Sequence, residues 1–221
     1  EYSFSGCFNL NNIFIPNNIH NIKEGTFQFC SNITELNIPK SITTIETDSF
    51  NSCTNLKKIT FENPSSLISI KDRAFKGCSS LEKIIIPSSV EEIGKSVFEG
   101  CINLKEIEIE ANITIIEEKL FKGCKSLTEM KIPASVIELG KESFCLCLEL
   151  KNIELPNKLK KIDERTFSSC RSIETIEIPK TVQEIGHDAF ARCSSLQSIN
   201  IPTSIENIET IGLEDKNIIH K

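Results

Sequence analysis

Ten cysteines are the residues of this 221-residue chain with the widest capacity for chemistry, because thiols can form disulfides, bind metals or act as nucleophiles. Nine of them recur every 23 residues, apart from one interval of 25, at Cys7, Cys30, Cys53, Cys78, Cys101, Cys124, Cys147, Cys170 and Cys193. Equivalent residues of stacked repeats point the same way, about 4.8 Å apart, which disfavours disulfide geometry. We therefore expect a column of buried thiols that pack as small hydrophobic side chains.

Cys145 is the cysteine outside this column. The equivalent residues of the other repeats are mostly polar, so we expect its thiol to be exposed. Cys145 and Cys147 could form a metal or redox pair, but without a further Cys or His in reach the donors fall short of a four-ligand zinc site. The sequence therefore predicts no metal, and a lone exposed thiol that would link two chains by a disulfide under oxidising conditions.

The three histidines stand apart in the sequence, at His20, His187 and His220. Neither a His-Glu-x-x-His motif nor a nucleophile elbow occurs. No combination of nucleophile, base and orienting group can be assembled from the motifs. We expect neither catalytic residues nor a cofactor, and the sequence disfavours an enzyme.

The unit that positions the cysteines is the repeat Phe-x-x-Cys-x-x-Leu-x-x-Ile-x-Ile. The alternation at its end is typical of a β-strand. A proline such as Pro87 or Pro179 follows most of these strands and ends them, because proline cannot donate a hydrogen bond to a neighbouring strand. A fixed period of this length predicts a solenoid in which one repeat cannot fold alone and stacked coils pair their strands in a parallel sheet.

The segment before each phenylalanine is short and polar, and we expect a helical or 3₁₀ turn there. Gly94, Gly140 and Gly186 share one turn position, but charged residues replace them in other repeats, so this position should not require a positive φ. Two extra residues between Phe61 and Leu67 should bulge out as a longer loop.

The repeats run without a boundary, which predicts a single domain over residues 1–221 with nine repeats. Near the end, Leu213 takes the Phe place, Lys216 the Cys place and Ile219 the Leu place, so a degenerate C-terminal cap is expected near residues 205–221. The chain begins at Glu1 already in register, and we expect it to be a fragment of a longer protein.

Strand residues that lie between the buried ones should face solvent on one side of the sheet, where repeat arrays usually bind partners. We call the residues five and seven positions after each cysteine the sheet face. Its second half is rich in glutamate, which predicts a partner with basic groups; the alternative is a solvated face whose charges only maintain solubility. The predicted partner-binding residues are Phe14, Asn37, Thr60, Ile85, Glu106, Glu108, Glu129, Lys131, Glu154, Glu177 and Asn200.

The composition limits the class of partner. The net charge is −6, from 25 basic and 31 acidic residues, and the basic residues do not cluster, which argues against nucleic acid or an anionic membrane surface. No apolar run approaches the ~20 residues of a membrane span, so no direct membrane insertion is expected. Asn32 and Asn112 lie in glycosylation triplets, which matter only if the protein enters a secretory pathway.

One repeat of the chain resembles that of the BspA-like leucine-rich repeat family. Its residues run Leu81-x-x-Ile84-x-Ile86-Pro87-Ser88-Ser89-Val90-x-x-Ile93-Gly94-x-x-Val97-Phe98-x-x-Cys101. The resemblance extends over nearly the whole chain. It implies an α/β leucine-rich repeat solenoid: a right-handed β-α superhelix with one parallel sheet of about nine strands and short helical or 3₁₀ turns.

The resemblance also implies display at a cell surface and adhesion to proteins or cells, and it supplies no catalytic residues. The sequence therefore predicts a non-enzymatic protein-binding module of the cell surface or extracellular space. The alternative is a cytoplasmic scaffold that holds another protein on the same sheet face.

Overall fold

The structure, a computed structural model, is a parallel β-solenoid of stacked coils. It describes residues 1–206, 210–213 and 217–220. Each regular coil contributes one longer and one shorter strand, numbered together along the chain. The longer strands are β2 (Glu35–Ile38), β4 (Lys58–Phe61), β6 (Lys83–Ile86), β8 (Glu106–Ile109), β10 (Glu129–Lys131), β12 (Asn152–Glu154), β14 (Thr175–Glu177), β16 (Ser198–Ile201) and β17 (Asn217–His220). The shorter ones are β1 (Asn21–Ile22), β3 (Thr44–Ile45), β5 (Ser69–Ile70), β7 (Glu92–Ile93), β9 (Ile115–Ile116), β11 (Glu138–Leu139), β13 (Lys161–Ile162) and β15 (Glu184–Ile185).

The strands form two parallel ladders rather than the single sheet that we predicted. The longer strands pair in the order β2-β4-β6-β8, β10-β12 and β14-β16-β17, and the shorter ones in the orders β1-β3-β5-β7 and β9-β11-β13-β15. Most pairs join residues 23 positions apart, as in Glu35↔Lys58. The second ladder arises because each coil places a further apolar side chain, such as Ile93, against the core on its other side.

Apolar columns fill the space between the ladders. Nine phenylalanine rings, from Phe4 to Phe190, stack in one row with centroids 5.3 to 6.0 Å apart. The rings from Phe50 to Phe190 have at most 1 % of their surface exposed. Because every ring from Phe27 to Phe167 lies between the rings of two neighbouring coils, burial is complete only within a stack.

In the described ranges the segments before the phenylalanines form turns without helix, and only Thr210 near the C-terminal end has 3₁₀ geometry, so the predicted helical or 3₁₀ turns are not confirmed. In the central coil, Ser96 and Gly100 have φ values of 57° and 76°. These left-handed residues direct the N–H groups of Ser96, Phe98 and Gly100 to carbonyls of the following coil at 2.8 to 3.0 Å. The intervening N–H groups, of Glu99 and Cys101, bond within the turn. Every second backbone N–H group of the turn therefore bonds to the next coil, whereas in a helix it would bond within its own segment.

The glycine position that we predicted to need no positive φ does not have one: Gly94, Gly140 and Gly186 all lie outside that region. These glycines allow close approach of the preceding coil instead. A Cβ at Gly186 would lie 2.4 Å from the backbone nitrogen of Glu164. The prediction for this position is confirmed, with close backbone contact as the physical reason for glycine.

Two irregular places lie where the sequence indicated them. The two extra residues after Phe61 form an exposed loop around Asn63 and Pro64. The strands on either side of this loop, β4 and β6, pair only at Lys58↔Lys83. At the C-terminal end, Ser198 pairs with Asn217, so the last coil is shorter than the others. Ile219 consequently pairs with Asn200 and does not take the predicted Leu place, while Lys216 lies outside the described residues.

Candidate functional site: the sheet face

The longer strands present a row of polar side chains to solvent, as the alternation of the sequence requires. In β8, for example, Glu106 and Glu108 are exposed, Ile107 is buried and Ile109 is half-buried. Ten of the predicted partner-binding residues lie on these strands, and all are exposed except Asn200, which is half-buried. The strands bring them side by side on one surface.

Phe14 is the predicted residue that lies outside the sheet. It is 88 % exposed, but it belongs to an irregular segment before β1 rather than to a strand. A strand here would have a partner on one side only, so half of its ladder hydrogen bonds would be missing. Phe14 is therefore a protruding side chain next to the sheet rather than part of it.

Most charges on the turn side of the coils are neutralised by ion pairs between neighbouring coils. Lys76 lies 3.0 Å from Glu99, and Lys141 lies 2.8 Å from Glu164. Arg73 binds Asp48 through two nitrogens, at 2.8 and 3.0 Å. Burial alone would raise the pKa of Asp48, but hydrogen bonds from Arg73 and Asn51 outweigh it and lower that pKa. These carboxylates are already satisfied and offer little to a partner.

The carboxylates of the sheet face are mostly unpaired. We call Glu106, Glu108, Glu129, Glu154 and Glu177 the acidic half of the face. Glu106 has a partner in Lys83, 2.7 Å away, and the hydrogen bond from this lysine lowers the pKa of Glu106. Within the part of the chain that the structure describes, the other four form no ion pair. The face therefore carries negative charge that the molecule itself does not neutralise.

The column of thiols is buried, as the sequence predicted, except for its first member. The buried thiols also form hydrogen bonds, which the sequence did not predict. Cys7, in the first coil, is exposed. From Cys30 to Cys193, each thiol of the column donates to the carbonyl of the phenylalanine in the preceding coil, with sulfur–oxygen distances of 3.0 to 3.3 Å. These thiols thus join neighbouring coils as hydrogen-bond donors as well as filling space.

Cys145 is buried, with 9 % of its surface exposed, so the predicted exposed thiol is wrong. Lys122 and Ser168 of the two neighbouring coils and Glu142 of its own coil lie close to it. Burial is the main reason that the pKa of Cys145 is raised. A disulfide-linked dimer through Cys145 therefore lacks the accessible thiolate that it needs.

We expect the native 221-residue chain under non-denaturing conditions to show one fast-reacting thiol, which is Cys7. Ellman's reagent at pH 7.5 should release one equivalent of chromophore quickly and the remainder only after denaturant is added, because the other thiols are buried. Cys7→Ser should abolish the fast phase, whereas Cys145→Ser should leave it unchanged. Loss of a fast equivalent in Cys145→Ser would contradict the burial of this residue.

Two further features limit the chemistry of the described residues. Their His, Cys, Asp and Glu side chains form no group of three that could share a metal ion. None of their segments is a helix with the length and apolar character of a membrane span. The unpaired sheet-face carboxylates are therefore the most distinctive chemical feature of this part of the chain.

Comparison with protein-family models matches the BspA type leucine rich repeat region, in six copies, over residues 1–105 and 91–219. A search of curated proteins found no match. Among solved structures, a leucine-rich repeat protein from Bacteroides ovatus aligns with a TM-score of 0.81 and 28 % identity, over 100 % of this chain and 62 % of its own. This chain thus spans less than two thirds of that relative.

Two further solved structures show the same repeat architecture. A leucine rich cell surface protein from Faecalibacterium prausnitzii has a TM-score of 0.60 and 25 % identity, over 99 % of this chain and 68 % of its own. A leucine-rich repeat protein from Eubacterium ventriosum has a TM-score of 0.68 and 27 % identity, over 85 % and 50 % of the two chains.

Proposed function

The chain belongs to the BspA-type leucine-rich repeat family, and we propose from this premise that it is a non-enzymatic protein-binding module of adhesion type at a cell surface. Proteins of this repeat architecture typically act through protein interactions. One similar structure is that of a cell surface protein. The partner would bind on the sheet face, through Asn37, Thr60 and Ile85 in the first half and through the acidic half beyond them.

The observation that carries this proposal is the difference between the two sides of the coils. Charges on the turn side are matched by neighbours, as in Lys141–Glu164, whereas Glu108, Glu129, Glu154 and Glu177 remain unmatched in the described chain. Binding of a basic surface would supply the missing counter-charges and favour fast association. Glu106 should contribute least, because Lys83 already neutralises it.

Site-specific photocrosslinking can test the proposed binding face. A photoreactive phenylalanine derivative at Lys131, within the face, should crosslink to a defined protein of the source cells, whereas the same group at Glu149, which is exposed outside it, should not. Equal crosslinking from both positions would contradict the assignment. The two sites lie in neighbouring coils, so differences in folding do not confound the comparison.

The charge requirement has a matched control. Glu108→Lys with Glu154→Lys and Glu177→Lys should weaken crosslinking from Lys131 by about tenfold or more, since each lost ion pair is worth ~0.2–1 kcal/mol and each reversal adds repulsion. Glu91→Lys with Glu149→Lys and Glu206→Lys makes the same change in net charge at exposed residues off the face and should have little effect. Equal loss in both variants would indicate a response to overall charge alone.

Localisation distinguishes the proposal from a cytoplasmic scaffold. The free thiols of the chain are compatible with a reducing compartment, where disulfides are rare, so the scaffold stays as the alternative. A membrane-impermeant reagent applied to intact source cells should label this chain if it is displayed at the surface, and glycosylation of Asn32 and Asn112 would then be the next question. Protection equal to that of cytosolic marker proteins would contradict surface display and support the scaffold.

A further inference from the structure

The ladder of longer strands is interrupted at two places in the described chain, between β8 and β10 and between β12 and β14. At the second place, each strand pairs along three residues with its other neighbour, β12 with β10 and β14 with β16, but β12 and β14 do not pair with each other in the described sheet. A groove of about 660 Å³ lies at this position. Its lining includes Ile153, Glu154, Leu155, Asn157, Glu177 and Thr181, and we call it the β12–β14 groove.

The floor of the groove is apolar and incompletely covered. Ile153 and Leu155 are half-buried, whereas the equivalent Ile199 and Ile201 of β16, which pairs with a strand on each side, are only 1 % and 0 % exposed. The difference follows from the missing strand pairing, because the next coil does not close over these two side chains. Apolar surface is therefore available within an otherwise polar face.

The loops beyond the two strands hold the groove in place. The hydroxyl of Thr181 donates to the carbonyl of Asn157 at 3.0 Å, so the loop after β14 is fixed to the loop after β12. The two strands are not joined by backbone pairing, but this side-chain hydrogen bond joins the loops that follow them. The groove is accordingly part of the folded array rather than a frayed end.

The charge at the rim is negative. Glu154 and Glu177 are exposed, and neither forms an ion pair in the part of the chain that the structure describes. Lys180 is the one cationic residue of the groove lining. An occupant therefore needs an apolar side chain for the floor and positive charge for the rim.

We propose that the β12–β14 groove anchors an extended peptide segment of the pattern basic-x-apolar-x-basic. In an extended chain, residues two apart lie on the same side, about 6.5 Å from each other, so one apolar side chain can enter the groove while the flanking basic ones meet Glu154 and Glu177. The inference rests on the proposed function, and it defines where on the face the partner is held and what chemistry is recognised. A second copy of this chain is a less suitable occupant, because both copies carry a net charge of −6.

The chain contains no tryptophan, so a tryptophan in a probe peptide gives an unmixed signal. The probe is an acetylated and amidated peptide with the sequence Gly-Lys-Ser-Trp-Ser-Lys-Gly. Its emission should shift to shorter wavelength on titration with the chain, because the indole enters an apolar site. A peptide with glutamate in place of both lysines should bind at least about tenfold more weakly. A peptide with serine in place of tryptophan should compete at least about tenfold more weakly.

Variants of the chain locate the site. Glu154→Lys with Glu177→Lys should weaken binding of the probe about tenfold, whereas the control Glu91→Lys with Glu149→Lys should not. Leu155→Ser should weaken binding by removing part of the floor. Because this change could also disturb the core, Asn157→Trp provides a second test: its exposed indole should respond to a tryptophan-free Gly-Lys-Ser-Leu-Ser-Lys-Gly peptide.

The outcomes separate the groove from the wider proposal. If the serine peptide competes as well as the tryptophan probe and Asn157→Trp shows no response, the groove assignment is overturned, while a charge-dependent sheet face stands. If no probe binds, the groove assignment is again overturned. The proposed function is then judged by crosslinking from Lys131, which does not line the groove.

Discussion

The array should begin to lose stability near pH 8 and lose it steeply above pH 9, in so far as the thiols determine stability. Burial raises the pKa of Cys53 and Cys101 from 9.0 to about 12. The same cause raises the pKa of Cys78, Cys124, Cys147 and Cys170 well above 9.0. In the unfolded chain these thiols would lose their protons near pH 9, whereas in the folded chain they retain them.

The sign of the effect follows from proton binding. Above pH 9 the folded state holds more protons than the unfolded state, so each rise in pH favours unfolding. Each of the six thiols should then cost about 1 kcal/mol of unfolding free energy per pH unit, or about 6 to 8 kcal/mol per unit for the column. Since domains of this size are stable by about 5–15 kcal/mol, unfolding should be complete roughly one to two units above pH 9.

Urea titrations followed by circular dichroism at pH 7.5, 8.5, 9.5 and 10.5, with reductant present, measure this loss. Cys101→Ala offers a matched comparison: it should be less stable at pH 7.5 and lose stability less steeply above pH 9, by about one sixth. Recovery of the signal on return to pH 7.5 would exclude chemical damage. A free energy of unfolding that stays constant from pH 8.5 to 10.5 would contradict burial of the thiol column.

The repeating columns could be predicted because each is a property of composition at a fixed period. The Phe and Cys columns and the exposed alternation of the longer strands follow directly from the sequence and are seen in the structure. The loop around Asn63 and Pro64 was predictable from two extra residues. In all these cases a single position in the repeat has one dominant physical role, namely burial, strand pairing or loop formation.

Other features depend on neighbours in the stack, which one repeat does not reveal. The left-handed turn residues include Phe29, Leu146 and Arg192, types that carry no local signal for positive φ. The shorter strands have only two residues, too few for a periodic pattern. Cys145 has polar equivalents such as Glu99 and Lys122, but these are themselves half-buried between coils. The position of Cys145 in the repeat therefore predicted an exposed, reactive thiol, whereas packing between the coils buries it.

The acidic half of the sheet face was visible in the sequence, whereas the β12–β14 groove was not. Neither strand contains a glycine or proline that would mark an opening, and no residue type in them explains it. The lack of ion pairs at Glu154 and Glu177 also depends on where the lysines of other coils lie. The candidate site is thus partly a sequence property, its charge, and partly a property of the stack, its shape.

Phe98→Ala should be among the most destabilising single substitutions in the chain, at about 3–5 kcal/mol, because the ring is fully buried and removing it leaves a cavity. The ring stacks on Phe75 at 6.0 Å and on Phe121 at 5.9 Å, so its loss weakens two interfaces between coils at once. In an array held together by contacts between adjacent coils, a defect in the middle separates the two halves. We therefore expect a lower urea midpoint and a broader, less cooperative transition.

Phe14→Ala is the matched control, since it removes the same side chain from a position that is 88 % exposed, and its effect should stay within about 0.5 kcal/mol. Phe98→Leu keeps most of the volume and should cost less than Phe98→Ala, about 1–2 kcal/mol. Because the column is nearly regular, Phe121→Ala should resemble Phe98→Ala. Equal urea midpoints for Phe98→Ala and Phe14→Ala would contradict a core built from stacked rings, whereas the ordered series would show that stability lies in the contacts between coils.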